Sequence, residues 1–469
     1  MRFASVKSLL DDPERAWSAF QPDRSRPWDR EAVAHLHRRA GFAAPWAVLE
    51  RDVKDGPDAS IDRVLEGEPT AGEGTPASEF ESFMDAMAAR LGSTADLEGL
   101  QAIWLYRMIF TPHPLRERMT LFWHNHFATS IAKVQTSALM QRQNNLFRHE
   151  ALGDFRELLR AIGKDPAMLI WLDSTVNKKA HPNENYAREV MELFSLGRGH
   201  YTEKDVQEAA RAFTGWFVIR DEFSVVPRQH DDGPKLVLGR KGEWTGDDIP
   251  GILLDQPACA EWICRKLFRY FVSESQTPSE ALIAPLARSF RESGYQVRVP
   301  VATILRSSLF FDPTVRRRRV KCPVEFAVGT VRSLEVLKPT VQAAALARSC
   351  VQMGQSLYAP PSVAGWEWGR AWMNSTTLLA RANLVLALLS DDDEALGRRC
   401  DPARLADRHG FHRPAAAARF LLDLLGPGPI EAVVKDPILK AVAAKSADRD
   451  AAVRDAARRI LNLPEYQLA

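Results

Sequence analysis

The 469-residue chain has no stretch near the ~18 consecutive apolar residues that a membrane-spanning helix requires. Charge of one sign is also missing: 62 Lys and Arg stand against 60 Asp and Glu, a formal net charge of +2. That balance excludes the one-sided field by which a protein gathers bulk nucleic acid or an anionic membrane surface. Cysteine is scarce, with only Cys259, Cys264, Cys322, Cys350 and Cys400 and no CxxC pair. The odd count argues against a closed disulfide framework and predicts buried free thiols. The opening segment MRFASVKSLLDDPERAW lacks an uninterrupted apolar core, because Asp11, Asp12, Glu14 and Arg15 follow its short apolar pieces. It does not read as an export signal, so a cytoplasmic protein is expected. There is no GxxxxGK[ST], no GxGxxG after a strand, no GxSxG and no HExxH. Nucleotide-dependent motors, Rossmann dehydrogenases, ordinary α/β-hydrolases and zincin proteases are therefore disfavoured.

What the chain does have is helical periodicity. Its 45% hydrophobic and 26% charged residues are the balance of a folded globular protein. Residues 29–40 read as a helix entered after Pro27 and stopped by Gly41. Residues 67–76 form a Gly/Pro/Thr loop, and a long helical stretch over 78–109 follows. Shorter helices are expected at 115–129, 135–149, 152–163, 165–173, 184–196 and 203–213. Residues 216–240 alternate and are β-branched, with DDG as a turn signal, which predicts one small hairpin inserted among helices. The expected fold is mainly α: a large multi-helix domain with a small β-hairpin insertion near 216–240. The expected organisation is an N-terminal extension (1–28), a main helical domain (29–390) and a C-terminal helical region (391–469) packed on it.

Candidate chemistry lies in four places. His124 and His126, in FWHNHF, are two residues apart, which on a helix points the imidazoles to opposite sides. They chelate one metal only if the segment is extended or the helix ends between them; otherwise one is a hydrogen-bonded core residue and the other caps a helix. Glu189 and Glu192 share a helix face, framed by Asn183 as N-cap and Gly197 as C-terminal stop. Arg188 is placed to pair with Glu192. The next helix opens with a Thr202–Asp205 capping box and carries Arg211, with His200 in the turn between the two helices. His230 and Asp231 are expected at the hairpin tip, as an oriented imidazole, as metal ligands, or simply as turn residues. The run Arg316–Arg319 reads as a solvated loop or partner contact rather than a phosphate or nucleic-acid site, and the Trp-rich 366–372 as an anchor onto the core.

Several segments resemble the domain-of-unknown-function 1800 family: HLHRRAGF (35–42), FWHNHF (122–127), NENYAREVMELFSLGRGHYTEKDVQEAARAFTGW (183–216), HDDGPKLVLG (230–239), PPSVAGWEWGRAWMNSTTLLAR (360–381) and LPEYQ (463–467). The resemblance spans about residues 30–469. It implies no known activity. It does imply that many relatives are secreted and encoded beside a sulfatase-like family, a possible protein partner. Trp366-Glu-Trp-Gly369 stands where relatives have a more Gly-rich turn.

Residue chemistry and resemblance together lead to one expectation. It is an uncharacterised acid/base or metal-dependent enzyme with a His/Glu/Arg pocket. Glu189 or Glu192 serves as base or ligand, Arg211 as charge partner or anion clamp, and His200 lies nearby. His124, His126, His230 and Asp231 are the candidate ligands for a divalent metal such as zinc or iron. The competing expectation is a helical scaffold in which the same side chains form a structural network. Neither nucleic-acid nor membrane binding is expected.

Overall fold

The computed structural model describes residues 9–71, 74–92, 96–336, 340–426, 428, 430–444 and 448–469. Helices open where short polar side chains accept the first free backbone N–H groups. Asp29 caps Arg30–Ala40, Asp154 caps Phe155–Gly163, Asp165 caps Pro166–Trp171 and Asp401 caps Pro402–Arg408. The Thr202–Asp205 capping box at Glu203–Ala212 is present as expected. The fold is mainly α, with 24 α-helices and two antiparallel two-stranded sheets among the described residues. None of these helices is long and apolar enough to cross a membrane. All five cysteines are buried free thiols.

Three local expectations change. The stretch 78–109 is two helices, Ala77–Gly92 and Leu97–Phe110, with residues 93–95 outside the described set. The expected loop at 67–76 likewise includes undescribed residues 72–73, and the opening segment includes undescribed 1–8. The β insertion is two hairpins, Trp216–Ile219 with Glu222–Val225 and Lys235–Val237 with Arg240–Gly242. Their tips are Arg220-Asp221 and Leu238-Gly239, all four at positive φ, the geometry of tight two-residue turns. His230-Asp231 therefore lies in the connection between hairpins, not at a tip.

Apolar side chains gather into two large clusters. One runs through the helices at 155–163, 257–271 and 280–306. The other joins the helices at 97–110 and 323–333 to those at 402–461. Arg30–Ala40 and Pro114–His126 contribute to both, so their polar residues are trapped in the seam between. Glu117 there accepts from Arg148 Nε at 2.6 Å and Trp104 Nε1 at 2.8 Å. Arg118 and Arg319 both pair with Glu325, and Arg319 Nη1 lies 3.6 Å from Glu274. Arg319 is 2% exposed, which corrects the reading of 316–319 as a wholly solvated loop. A guanidinium can be held in the seam because two carboxylates face it.

Candidate functional site

The three residues at the end of Pro114–His126 point in different directions. His124 is buried and its Nε2 accepts the Tyr358 N–H at 3.0 Å, while its ring packs against Trp104 and Trp366. Burial lowers it to about 3, so it is a neutral acceptor. Asn125 Oδ1 accepts the Trp366 N–H at 2.7 Å. His126 lies 3.1 Å from the Phe194 carbonyl through Nε2 and 2.9 Å from Lys266 Nζ through Nδ1. Burial, then the Lys266 charge, holds His126 well below the usual histidine range. Lys266 itself is brought down to about 7 by burial and by Arg269.

The expected 184–196 helix is α only over Asn185–Glu189; Val190–Ser195 is a π turn. Widening the helix lets its carbonyls find partners outside it. Leu193 O takes Trp262 Nε1 at 2.9 Å and Lys266 Nζ at 3.1 Å. Gly197, at φ +76°, allows the Trp262 indole to lie so close that a Cβ would sit 2.9 Å from it. The segments 122–127 and 183–216 thus meet through backbone carbonyls. Asn183 is not the cap residue itself; its Oδ1 accepts from Asn185 N at 3.1 Å.

The side chains expected to do chemistry fall into separate networks. Arg188 pairs with Glu203, at 2.8 and 2.5 Å, rather than with Glu192. Glu192 accepts from Tyr201 Oη at 2.7 Å and Arg198 Nε at 2.6 Å, which hold it below the usual carboxyl range. Glu189 is half-buried and raised, first by burial and then by the Glu192 charge. His200 is exposed in the turn. Arg211 joins Asp231 (Nε–Oδ2 2.8 Å) and Glu208, not Glu189 or Glu192. His230 Nδ1 lies 2.9 Å from Thr214 O. Among the described residues no hydrogen bond or ion pair connects Glu192, His126 and Asp231 to one another, and no three His, Cys, Asp or Glu side chains gather as a metal would require.

An open hollow lies elsewhere. A cavity of about 240 Å³ is walled by His37, Gly41, Pro45, Arg51, Arg63, Thr111 and Arg332, among others. Its polar edge is built from three successive helices, Arg30–Ala40, Trp46–Asp55 and Pro57–Glu66. Asp52, whose side chain is fully buried, accepts from His37 Nε2 at 2.8 Å, Arg51 Nε at 2.9 Å and Arg63 Nη2 at 2.8 Å. Burial alone would raise this carboxyl, but the His37 and Arg51 hydrogen bonds outweigh it and bring it to about 2. An ionised Asp52 can only accept, so the His37 proton facing it sits on Nε2 and Nδ1 is the ring nitrogen left over. Across the cavity Arg332 donates to the carbonyls of Ala43, Met108 and Ile109 and has no carboxylate partner among the described residues; desolvation lowers it to about 10. Gly41 brings the first helix against Pro114, with a would-be Cβ 3.0 Å from the Pro114 Cβ.

Sequence reasoning missed this dyad. His37 was one of two histidines in HLHRRAGF, and Asp52 sat in a charged amphipathic helix where a solvated face explains an Asp equally well. The 15-residue separation spans a helix–loop–helix corner, a juxtaposition that periodicity does not encode.

No curated protein and no solved structure matches the chain. A family profile described as "Protein of unknown function (DUF1800)" matches residues 35–468. Nearly the whole chain, from the His35 helix to the penultimate residue, therefore belongs to the DUF1800 family.

Proposed function

We propose that this protein is an acid–base enzyme acting on a small organic anion in the cavity beside His37. The observation that carries the reading is the His37–Asp52 pair at the wall of the 240 Å³ cavity. A buried carboxylate that orients an imidazole gives a general base whose second nitrogen is left for a substrate or water. Arg332, a wall cation that no carboxylate among the described residues pairs with, supplies the attraction for an anionic substrate. The walls are otherwise mostly apolar, as in small-molecule sites, where a few placed polar groups set orientation. In this reading Nδ1 of His37 takes the proton and Asp52 stabilises the imidazolium that forms. The test incubates purified protein with a library of organic acids and follows consumption by mass spectrometry. Substrate loss with the wild type and not with His37→Gln supports the proposal. Turnover of equal rate in both would overturn it.

A second reading has one observation on its side. Leu379, Leu386 and Val433 are 61%, 58% and 74% exposed, on the helices Ser375–Leu389 and Ala432–Ala444. That apolar face suits a helical scaffold for the sulfatase-like partner implied by the family resemblance. Co-elution of the two purified proteins, lost in Leu379→Ser/Leu386→Ser, supports this reading, and separate elution of the wild type removes it.

A further inference from the structure

The wall of the His37 cavity carries three guanidiniums, and two of them are matched. Arg51 meets Asp52 at 2.9 Å and Glu68 at 2.6 and 3.2 Å. Arg63 meets Asp52 at 2.8 Å and Asp55 at 2.9 Å. Arg332 faces no carboxylate among the described residues. Its Nε and Nη1 donate to the carbonyls of Ala43, Met108 and Ile109, which fix the group against the backbone. Its Nη2 has no hydrogen bond among the described residues. One unmatched cation with one unused donor nitrogen suits one carboxylate. A second carboxylate would share the wall with Glu68 and find no cation of its own.

Much of the remaining wall is apolar. Val48 and Val64 come from the helices Trp46–Asp55 and Pro57–Glu66. Ile109 and Phe110 end the helix Leu97–Phe110, and Pro112 and Pro114 carry the chain into the next one. These side chains offer a ligand no hydrogen bond, so the body that rests on them is apolar too. Volume sets its size. A cavity of roughly 150 Å³ lined by Leu, Ile and Phe takes up benzene. The cavity here, about 240 Å³, has room for such a ring together with a carboxylate. Malonate or acetate fills only part of that space and leaves the valines and Phe110 facing water.

Building on the acid–base reading of the same cavity, we propose that its substrate is a monocarboxylate carried on one compact apolar ring. The carboxylate sits on Arg332 and the ring rests on Val48, Val64 and Phe110. Charge then accounts for attraction, and the apolar wall for the choice among anions.

The test titrates the full chain by calorimetry with benzoate, cyclohexanecarboxylate, acetate, malonate and the uncharged benzamide. At least one ring acid is expected to bind about tenfold or more tightly than acetate, malonate and benzamide. Val48→Trp fills the apolar wall and Arg332→Gln removes the cation. Each is expected to weaken that binding at least tenfold, with far-UV circular dichroism unchanged. Val48 is only half-buried, so its variant keeps the test intact if loss of the three Arg332 backbone contacts disturbs folding. Failure of both ring acids to bind, or malonate or acetate binding as tightly as they do, overturns the ring class and leaves the acid–base reading in place. Benzamide binding as tightly as benzoate, or ring-acid binding untouched by both substitutions, overturns the proposal as well. Equal turnover in wild type and His37→Gln, with ring-acid binding intact, instead removes the acid–base reading and keeps the ring-acid site.

Discussion

Replacing Glu325 by Gln removes one negative charge from beneath Arg118 and Arg319 while keeping the side chain's shape. Both guanidiniums are at most 2% exposed, so water does not take over the lost partner. The carboxyl is held at about 2: burial would raise it, and the charges of Arg118 and Arg319 outweigh that. Against the ordinary glutamate value of 4.5, the difference corresponds to about 3 kcal/mol of folding free energy at neutral pH. Loss of one member of a buried pair independently costs about 3–5 kcal/mol. Urea unfolding followed by circular dichroism is expected to show Glu325→Gln less stable by at least about 3 kcal/mol with an unchanged slope. Part of that loss returns in the double variant Arg118→Met/Glu325→Met, because the charge facing Glu325 leaves with it while Arg319 still faces Glu274. A loss below about 1 kcal/mol for the single variant would refute the view that this carboxylate holds the seam.

Acid unfolding provides a second check. Asp52 and Glu325 are both depressed in the fold to about 2, so their stabilisation is present above pH ~4–4.5 and fades as pH falls toward 2. Asp52→Asn is expected to flatten that limb and to lower stability at pH 7 by about 2–3 kcal/mol, read by urea midpoints at several pH values. Lys266 gives a slope of the same sign in a higher window: its folded value near 7 lies below the free-lysine value, so the unfolded chain binds the extra proton. Stability is expected to rise between pH ~7 and ~10, a slope that Lys266→Met abolishes. Gly365→Ala meets both a positive φ and the Asn125 side chain, and is expected to cost about 2–3 kcal/mol, measured by the same unfolding assay.

Helix positions were legible because capping residues and apolar spacing act locally; the Thr202–Asp205 box is an example. The π turn at Val190–Ser195 was not, since its cause lies in Trp262, Lys266 and His126, all distant in sequence. The Arg220-Asp221 hairpin tip escaped notice because neither residue is the Gly or Asn that usually signals such a turn. Arg319 looked solvated within four consecutive arginines, and only the arrival of Glu274 and Glu325 explains its burial. The candidate site residues were recognised as polar and paired, but the pairing partners, Arg198 and Tyr201 for Glu192 or Lys266 for His126, are set by tertiary packing.

The most direct measurement for the His37 cavity is a crystal structure of the protein soaked with malonate. Density for the dicarboxylate between the His37 imidazole and the Arg332 guanidinium is the expected result, absent in Arg332→Met. An empty cavity at saturating malonate, or an anion bound only elsewhere, would contradict the assignment of this cavity as the seat of the chemistry.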